Sequence, residues 1–452
     1  MLFLIYGTRA GAGKVRAMDR VRQLVENRPD FFANHSARLE QALPIRDFIW
    51  QSTGLSNAYA VRTAAGRVII NTGMGFEAPV HRRLFDAVCA GPTAYILLTQ
   101  GHVDHVGGVA LFREPGTKLV AHRDLPLCQR DDQRIKRVRE AQAGIWFAAA
   151  LAAAARGSTP AGTGCAAPPQ QDVPVADVSF DDAFAFELGG LTFELYSTPG
   201  GETIDSCVVW LPQHGILFSG NLFGPLFPHF PNFNTIRGDR YRFVEPYLES
   251  LRRVRALEPE LLITGHFAPV EGRDLIRDCL DRLEQAVDYV HRRTLEGMNA
   301  GRDIFTLMRE VQLPPALHVG EGYGKVSWAV RTIWEQYMGW FKARATSELY
   351  PTQPGEVYPE LVALAGCDAV VTRGRARLDG GDPEAAMILA EAALAHSPRA
   401  PDALRLARDV NRALLVRSGG GNFWETGWLG TQIGRLEAAL GETGSANAEG
   451  AP

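Results

Sequence analysis

The chain has 452 residues, 46% hydrophobic and 22% charged, with 47 Lys and Arg against 51 Asp and Glu for a net charge of −4. A chain of this size buries a substantial core without disulfides or a structural metal, and its balanced charge argues against a nucleic-acid or anionic-membrane partner and for small-molecule chemistry. The cysteines Cys89, Cys128, Cys165, Cys207, Cys279 and Cys367 are dispersed with no C-x-x-C pair, which reads as reduced thiols in a cytoplasmic chain. Residues 1–40 read as a leader and a helix. The apolar start at 1–6 is too short for a signal-peptide core, and GTRAGAGK at 7–14 lacks the spacing and the Ser or Thr of a phosphate loop, which leaves Met18 as an alternative start. Between Phe48 and His266, strands are predicted at 68–70, 95–98, 118–121, 191–196, 207–211 and 261–263, the pattern of an α/β segment. The apolar run at 144–155 is shorter than the roughly 20 residues of a membrane span and reads as a helix, so no transmembrane segment is expected. Residues 161–175, rich in Gly, Pro and Gln, read as a long loop over a site. Helical spacing follows at 275–295, and further helices from Leu361 to Leu415 include one capped by Asp382 with Pro383 at its first position. The tail at 441–452 reads as disordered.

Chemistry concentrates directly after the strand at 95–98, in Gln100-Gly101-His102-Val103-Asp104-His105-Val106-Gly107-Gly108. In a turn leaving a strand, His102 and Asp104 face one cavity, while the adjacent Asp104 and His105 point apart and serve neighbouring metal positions. Imidazole with carboxylate suits zinc, one or two ions, with iron and manganese as alternatives. The plainer reading is a surface loop with two ordinary histidines, but an H-x-D-H string arises by chance in a chain this long on the order of one time in a hundred.

This stretch resembles the H-x-H-x-D-H loop of the metallo-β-lactamase superfamily. Asn71-Thr72-Gly73 stands where that superfamily has Asp-Thr-Gly, Thr198-Pro199-Gly200-Gly201-Glu202 resembles the T-P-G-x-E segment of its alkylsulfatase branch, and His266 matches the last metal histidine. Asn232-Phe233-Asn234-Thr235-Ile236-Arg237-Gly238 is similar to the alkylsulfatase N-x-x-T-x-R-G segment, and Leu313-Pro314-Pro315, the 322–327 run GYGKVS, the 337–341 run YMGWF and Gly421-Asn422-Phe423 extend the likeness. The resemblance implies an αββα metallo-β-lactamase sandwich with a helical extension at 41–345, then an all-α, tetratricopeptide-like dimerisation domain at 356–440, and hence a homodimer. It also implies that Gln100, His102 and Glu202 form one metal position, that Asp104, His105 and His266 form the other, and that Asn232 and Arg237 hold a sulfate.

Three departures matter. Gln100 replaces the first histidine, and Asn221 stands in place of a carboxylate that bridges two metals, so at least one tightly bound metal is expected, with single-metal occupancy or a labile second ion. Trp328 replaces a proton-donating histidine; indole cannot shuttle a proton, which leaves Tyr323 as the candidate donor beside Asp104 as the other catalytic candidate. Trp328 reads equally as a residue of the substrate site or as apolar filling. Asn71 is expected to orient the imidazoles from behind the loop. His122 and His229 read as edge or loop residues, and Phe223, Phe227, Phe230 and Phe233 either wall a pocket beside Arg237 or pack against helices.

The expected function is metal-dependent hydrolysis of a sulfate ester, or a related ester, of an amphiphilic small-molecule anion. The alternatives are a hydrolase of another ester or a lactone, since fold does not fix function, and a catalytically weakened metal-binding or scaffold relative. Iron-dependent oxidation is a further reading, without a flavin or electron-carrier domain to support it.

Overall fold

The structure, a computed structural model, describes residues 20–28, 40–147, 170–234 and 236–441. The Gly-rich leader, Met18, Cys165, Thr235, the end of the apolar run at 144–155, most of the loop at 161–175 and the tail beyond Gly441 lie outside the described residues. The chain forms two compact units. One comprises the described residues up to Ala143 with Phe147–Tyr337, the other Gly144–Trp146 with the described residues from Met338.

The first unit is built on two sheets. One holds β1 (Leu43–Arg46), β2 (Ile49–Ser52), β3 (Ala58–Thr63), β4 (Gly66–Ile70), β5 (Thr93–Leu97), β6 (Lys118–His122) and β7 (Val178–Phe180), neighbours in that order. Pairing is antiparallel from β1 to β4 and parallel from β4 to β7. The other holds β8 (Ala183–Leu188), β9 (Leu191–Ser197), β10 (Cys207–Leu211), β11 (Ile216–Gly220), β12 (Leu261–Thr264) and β13 (Val270–Glu271), again in order, with β11 and β12 parallel and the rest antiparallel.

The period-two alternation of strands sorts their side chains into layers. Val68, Ile70, Leu97 and Val120 of the first sheet meet Phe193, Leu195, Val209, Phe218 and Ile263 of the second in one buried core. The alternate residues face outward on each side. Ile69, Ile96, Leu119 and Ala121 pack with Leu84 and Phe85 of the helix Ala78–Val88. Val208, Trp210, Leu217 and Leu262 pack with Leu248 and Leu251 of the helix Val244–Ala256 and Leu280, Leu283 and Val287 of the helix Arg273–Asn299. Both faces of β10, β11 and β12 are covered, so these strands read as continuous apolar runs. The long helix buries Ile276, Cys279, Leu280, Leu283, Ala286, Val287 and Val290, the stripe that 3.6 residues per turn lays on one face. Helix, two sheets and helix make the expected αββα sandwich.

The second unit is helical, with helices at Pro354–Ala365, Cys367–Asp379, Pro383–His396, Pro401–Ser418 and Phe423–Leu440. Ala386, Ala390, Leu406, Ala407 and Val410 form its small core. Asp382 caps as expected, its side chain accepting the Ala385 N–H at 3.2 Å with Pro383 in the first turn. No helix among the described residues is long and apolar enough to cross a membrane.

Candidate metal centre

Strand direction gathers the site. β9 and β11 both run antiparallel to β10, and β12 runs parallel to β11, so the chain leaves β9, β11 and β12 at one edge of the second sheet. Glu202 follows β9, Asn221 follows β11 and His266 follows β12, while the Gln100–Gly108 loop follows β5 of the first sheet. The loop is clamped from several sides. Asn71, at φ 56, takes a left-handed conformation that Asn tolerates better than most residues. Its Oδ1 accepts the Thr99 N–H and its Nδ2 donates to Thr99 Oγ1, both at 3.0 Å. Asn71 thus fixes the start of the loop, its side-chain hydrogen bonds going to Thr99 rather than to an imidazole. The Thr72 N–H donates to the His105 carbonyl at 2.8 Å, and Ser56 Oγ donates to that of Asp104. Gln171, at the described end of the long loop, donates to the Val103 carbonyl at 2.7 Å and accepts the Gly75 N–H at 2.9 Å.

Asp104, His105 and His266 come together with their ligand atoms all within 4.8 Å of one another. Both ring nitrogens of His105 are buried without a hydrogen-bond partner. Burial drives the His105 imidazole down to about 4 and lowers that of His266, so both are neutral near pH 7 with lone pairs to offer. Burial opposes ionisation of Asp104, but His105, His266 and His102 outweigh it and lower its carboxyl below the usual range. Gly265 leaves the space open: a Cβ there would stand 2.0 Å from Asn221 Oδ1 and 3.1 Å from His105 Cε1. A carboxylate, two neutral imidazoles and unpartnered buried nitrogen atoms fit a divalent metal ion.

Gln100, His102 and Glu202 also converge. His102 Nδ1 lies 3.3 Å from Gln100 Nε2 and 3.6 Å from Glu202 Oε2, while Gln100 Oε1 and Glu202 Oε1 are buried without hydrogen bonds. This second set is already engaged by protein partners. Asn221 Nδ2 donates to Glu202 Oε2 at 2.8 Å and lies 3.0 Å from His266 Nε2, so the amide spans both sets. Arg242 Nη1 stands 3.6 Å from Glu202 Oε1. Burial disfavours the Glu202 carboxylate, but Arg242, His102 and Asn221 together hold it well below its ordinary value. Asp239, which the sequence reading missed, accepts from His102 Nε2 at 3.0 Å.

Arg237 Nη2 lies 3.1 Å from His102 Nε2 and 3.6 Å from Asp239 Oδ2, which puts a guanidinium beside the Gln100–Gly108 loop. Asn232 is buried, its main-chain carbonyl accepting from Arg242 Nη1 at 2.7 Å and its Oδ1 without a partner. Tyr323 is buried within electrostatic reach of Glu202, Arg237, Arg242 and Asp104. Burial and Glu202 raise its phenol well above the ordinary value against the pull of both arginines, so it keeps its proton. Trp328 is half-buried on the helix Val326–Met338, with the Lys325 ammonium 5.4 Å from its ring centre. Phe223, Phe227, Phe230 and Phe233 are all buried in the core that packs on the helices. His122 is structural, accepting the Asp124 N–H at 3.2 Å and lying 3.2 Å from Ser197 Oγ. His229 likewise accepts the Gly322 N–H at 3.0 Å and bonds the Val25 carbonyl at 3.2 Å.

Comparison with known proteins agrees with this geometry. Residues 52–266 match the metallo-beta-lactamase superfamily and residues 304–423 match the alkyl sulfatase dimerisation family. The linear primary-alkylsulfatase of Pseudomonas sp. (strain ATCC 19151) is 27% identical over 322 residues, covering 68% of this chain and 60% of that protein. The (R)-specific secondary-alkylsulfatase of Pseudomonas sp. is 27% identical over 237 residues, covering 50% of this chain and 35% of that protein. The chain therefore spans less than two thirds of the length of either relative. The solved stereoselective inverting sec-alkylsulfatase Pisa1 from Pseudomonas sp. superposes with a TM-score of 0.76 at 20% identity, covering 96% of this chain and 72% of that one, and shows the same fold. The chain carries a metallo-β-lactamase domain followed by an alkyl sulfatase dimerisation domain and is homologous to the Pseudomonas alkylsulfatases.

Proposed function

We propose that this chain is a metal-dependent hydrolase of sulfate esters of amphiphilic molecules. The observation that carries the reading is the Asp104, His105 and His266 cluster with Arg237 one side chain away, 3.1 Å from His102 of the same loop. The names of the homologous alkylsulfatases support it. The superfamily implies divalent metal, which we assign as zinc, held tightly by Asp104, His105 and His266 and weakly by Gln100, His102 and Glu202. When bound, such an ion supplies Lewis-acid polarisation of the ester and activation of water.

The chain's own residues supply the rest. Arg237 offers a planar, permanently charged fork to the sulfate, and Asn232 adds an amide. Asp104, the member of its cluster that solvent reaches, orients the attacking water as an acceptor. Tyr323 holds its proton and donates toward the leaving oxygen, while Trp328 supplies no proton. Asn221, a neutral amide between the two ligand sets, leaves the second without the charge that would hold two cations close together. We further propose a homodimer joined through the helices of 356–440, and a cytoplasmic location.

Calorimetry with dodecyl sulfate, paired with sulfate-release kinetics, tests this. Wild type binds the ligand and turns it over slowly. Arg237→Ala weakens binding by about 2 kcal/mol, the loss of a charge-assisted contact. Trp328→His raises turnover without tightening binding, because a proton donor acts in the transition state. If neither wild type nor Arg237→Ala binds dodecyl sulfate, the sulfate reading fails.

A further inference from the structure

Two side chains compete for one nitrogen of His102. Arg237 Nη2 stands 3.1 Å from Nε2 and Asp239 Oδ2 stands 3.0 Å from it. A guanidinium only donates and a carboxylate only accepts, so the two partners demand opposite states of Nε2. If Nε2 were bare and accepted from Arg237, the ring proton of the neutral imidazole would sit on Nδ1 and block it. If Nε2 carries the proton and donates to Asp239, Nδ1 of the neutral ring is left bare toward Gln100 and Glu202. Without a cation there, burial and Arg237 oppose the ring's charge but Asp239 and Glu202 raise it to about 9, so a metal at Nδ1 would take the place of a proton that Glu202 otherwise draws onto it. The surroundings favour the second arrangement. Gln100 Nε2, an amide donor, lies 3.3 Å from Nδ1, where it meets an acceptor. Asp239 Oδ2 also stands 3.6 Å from Arg237 Nη2, so the same carboxylate balances the guanidinium that would otherwise face an N–H.

Asp239 is itself held. Its Oδ1 accepts the Arg240 N–H at 2.8 Å and lies 4.0 Å from Arg139 Nη2, and Arg139 Nη1 donates to the Arg237 carbonyl at 3.1 Å. The segment bearing Arg237 and Asp239 is therefore tied to Arg139 at both ends, and its carboxylate reaches His102 from a fixed place.

We propose that Asp239 is a positioning residue: it fixes the ring of His102 so that Nδ1 faces Gln100 and Glu202, and it makes the second metal position usable. This rests on the metal-centre reading above. A carboxylate behind a ligating imidazole sets its tautomer and raises its basicity, and loss of such a partner costs ten- to a hundred-fold in metal affinity.

The test is zinc titration of the full-length protein against a competing chelator, in wild type, Asp239→Ala and Asp239→Asn. Wild type takes up one tight equivalent and one weak one. Asp239→Ala leaves the tight equivalent unchanged and weakens the weak one at least ten-fold. Asp239→Asn retains an acceptor oxygen for Nε2–H and restores most of that loss. The proposal is overturned by an unchanged second equivalent in Asp239→Ala, by equal losses in both variants, by parallel weakening of both equivalents, or by a wild type that never takes a second ion. Absence of the tight equivalent from wild type would instead remove the metal-centre reading itself.

Discussion

A methyl group added at Gly265 would meet Asn221 Oδ1 at 2.0 Å and the His105 ring at 3.1 Å, so Gly265→Ala forces the amide or the imidazole to move. Overpacking of this kind costs about 1–3 kcal/mol. We expect a lower urea midpoint together with reduced zinc uptake, where an ordinary packing defect would change the midpoint alone. Two other buried histidines make the fold sensitive to acid. Burial drives His81 from 6.5 to about 4, and burial, with Arg28 and His318 nearby, takes His229 to about 4. Between those values the unfolded chain binds protons that the folded chain does not, so this stability is complete above the unfolded value and is lost as pH falls toward 4. Each group contributes about 1.4 kcal/mol per pH unit across that window. Urea midpoints measured from pH 7 to pH 5 should fall, and His229→Gln should start lower but fall less steeply; an identical slope would exclude His229 as a source. The ligand-type residues were legible in the sequence because strand-end motifs keep them close along the chain or in recognisable segments. Asp239 was not, since nothing in the Arg237-Gly238-Asp239 run reports that folding returns it to His102, 137 residues earlier.

At the level of elements, continuous apolar strands announce themselves, and short strands of mixed composition do not. Val68–Ile70, Cys207–Leu211 and Leu261–Ile263 are buried on both faces, and their apolar runs predict strands that the structure contains. β1 and β2 have four residues each, with a proline in one and Gln and Ser in the other, so pairing rather than composition makes them strands. β8 alternates Ala and Phe before Glu187 and Leu188, a period-two signal diluted by weakly strand-forming alanines. The helix Arg273–Asn299 was legible because its apolar stripe repeats over many turns. Leu283 lies at the centre of that stripe, fully buried against the second sheet. Leu283→Ala should cost about 2–5 kcal/mol, the transfer and cavity terms together. Chemical denaturation checks it, and a loss below about 1 kcal/mol would mean that the helix packs less tightly than described.

For the molecule as a whole, the helical unit leaves Leu361, Leu364, Ile388, Val416 and Trp428 exposed, apolar surface of the kind that marks an association face. With the dimerisation-family match at 304–423, this supports the proposed homodimer. Sedimentation of the full chain at micromolar concentration should give a dimer, and a monomer would exclude it. The αββα order was foreseeable from the metal-loop resemblance, whereas the partners of the second ligand set, Asn221 on Glu202 and Asp239 on His102, depend on contacts that only the folded chain creates. The proposed function stands on Asp104, His105 and His266 holding the metal on which sulfate-ester hydrolysis depends. Elemental analysis of wild type and His266→Ala, each purified without added metal and assayed in parallel for sulfate release from dodecyl sulfate, decides this. Wild type should carry between one and two equivalents of transition metal, and the variant should lose both the tight equivalent and sulfate release; equal metal in the two proteins would overturn the assignment.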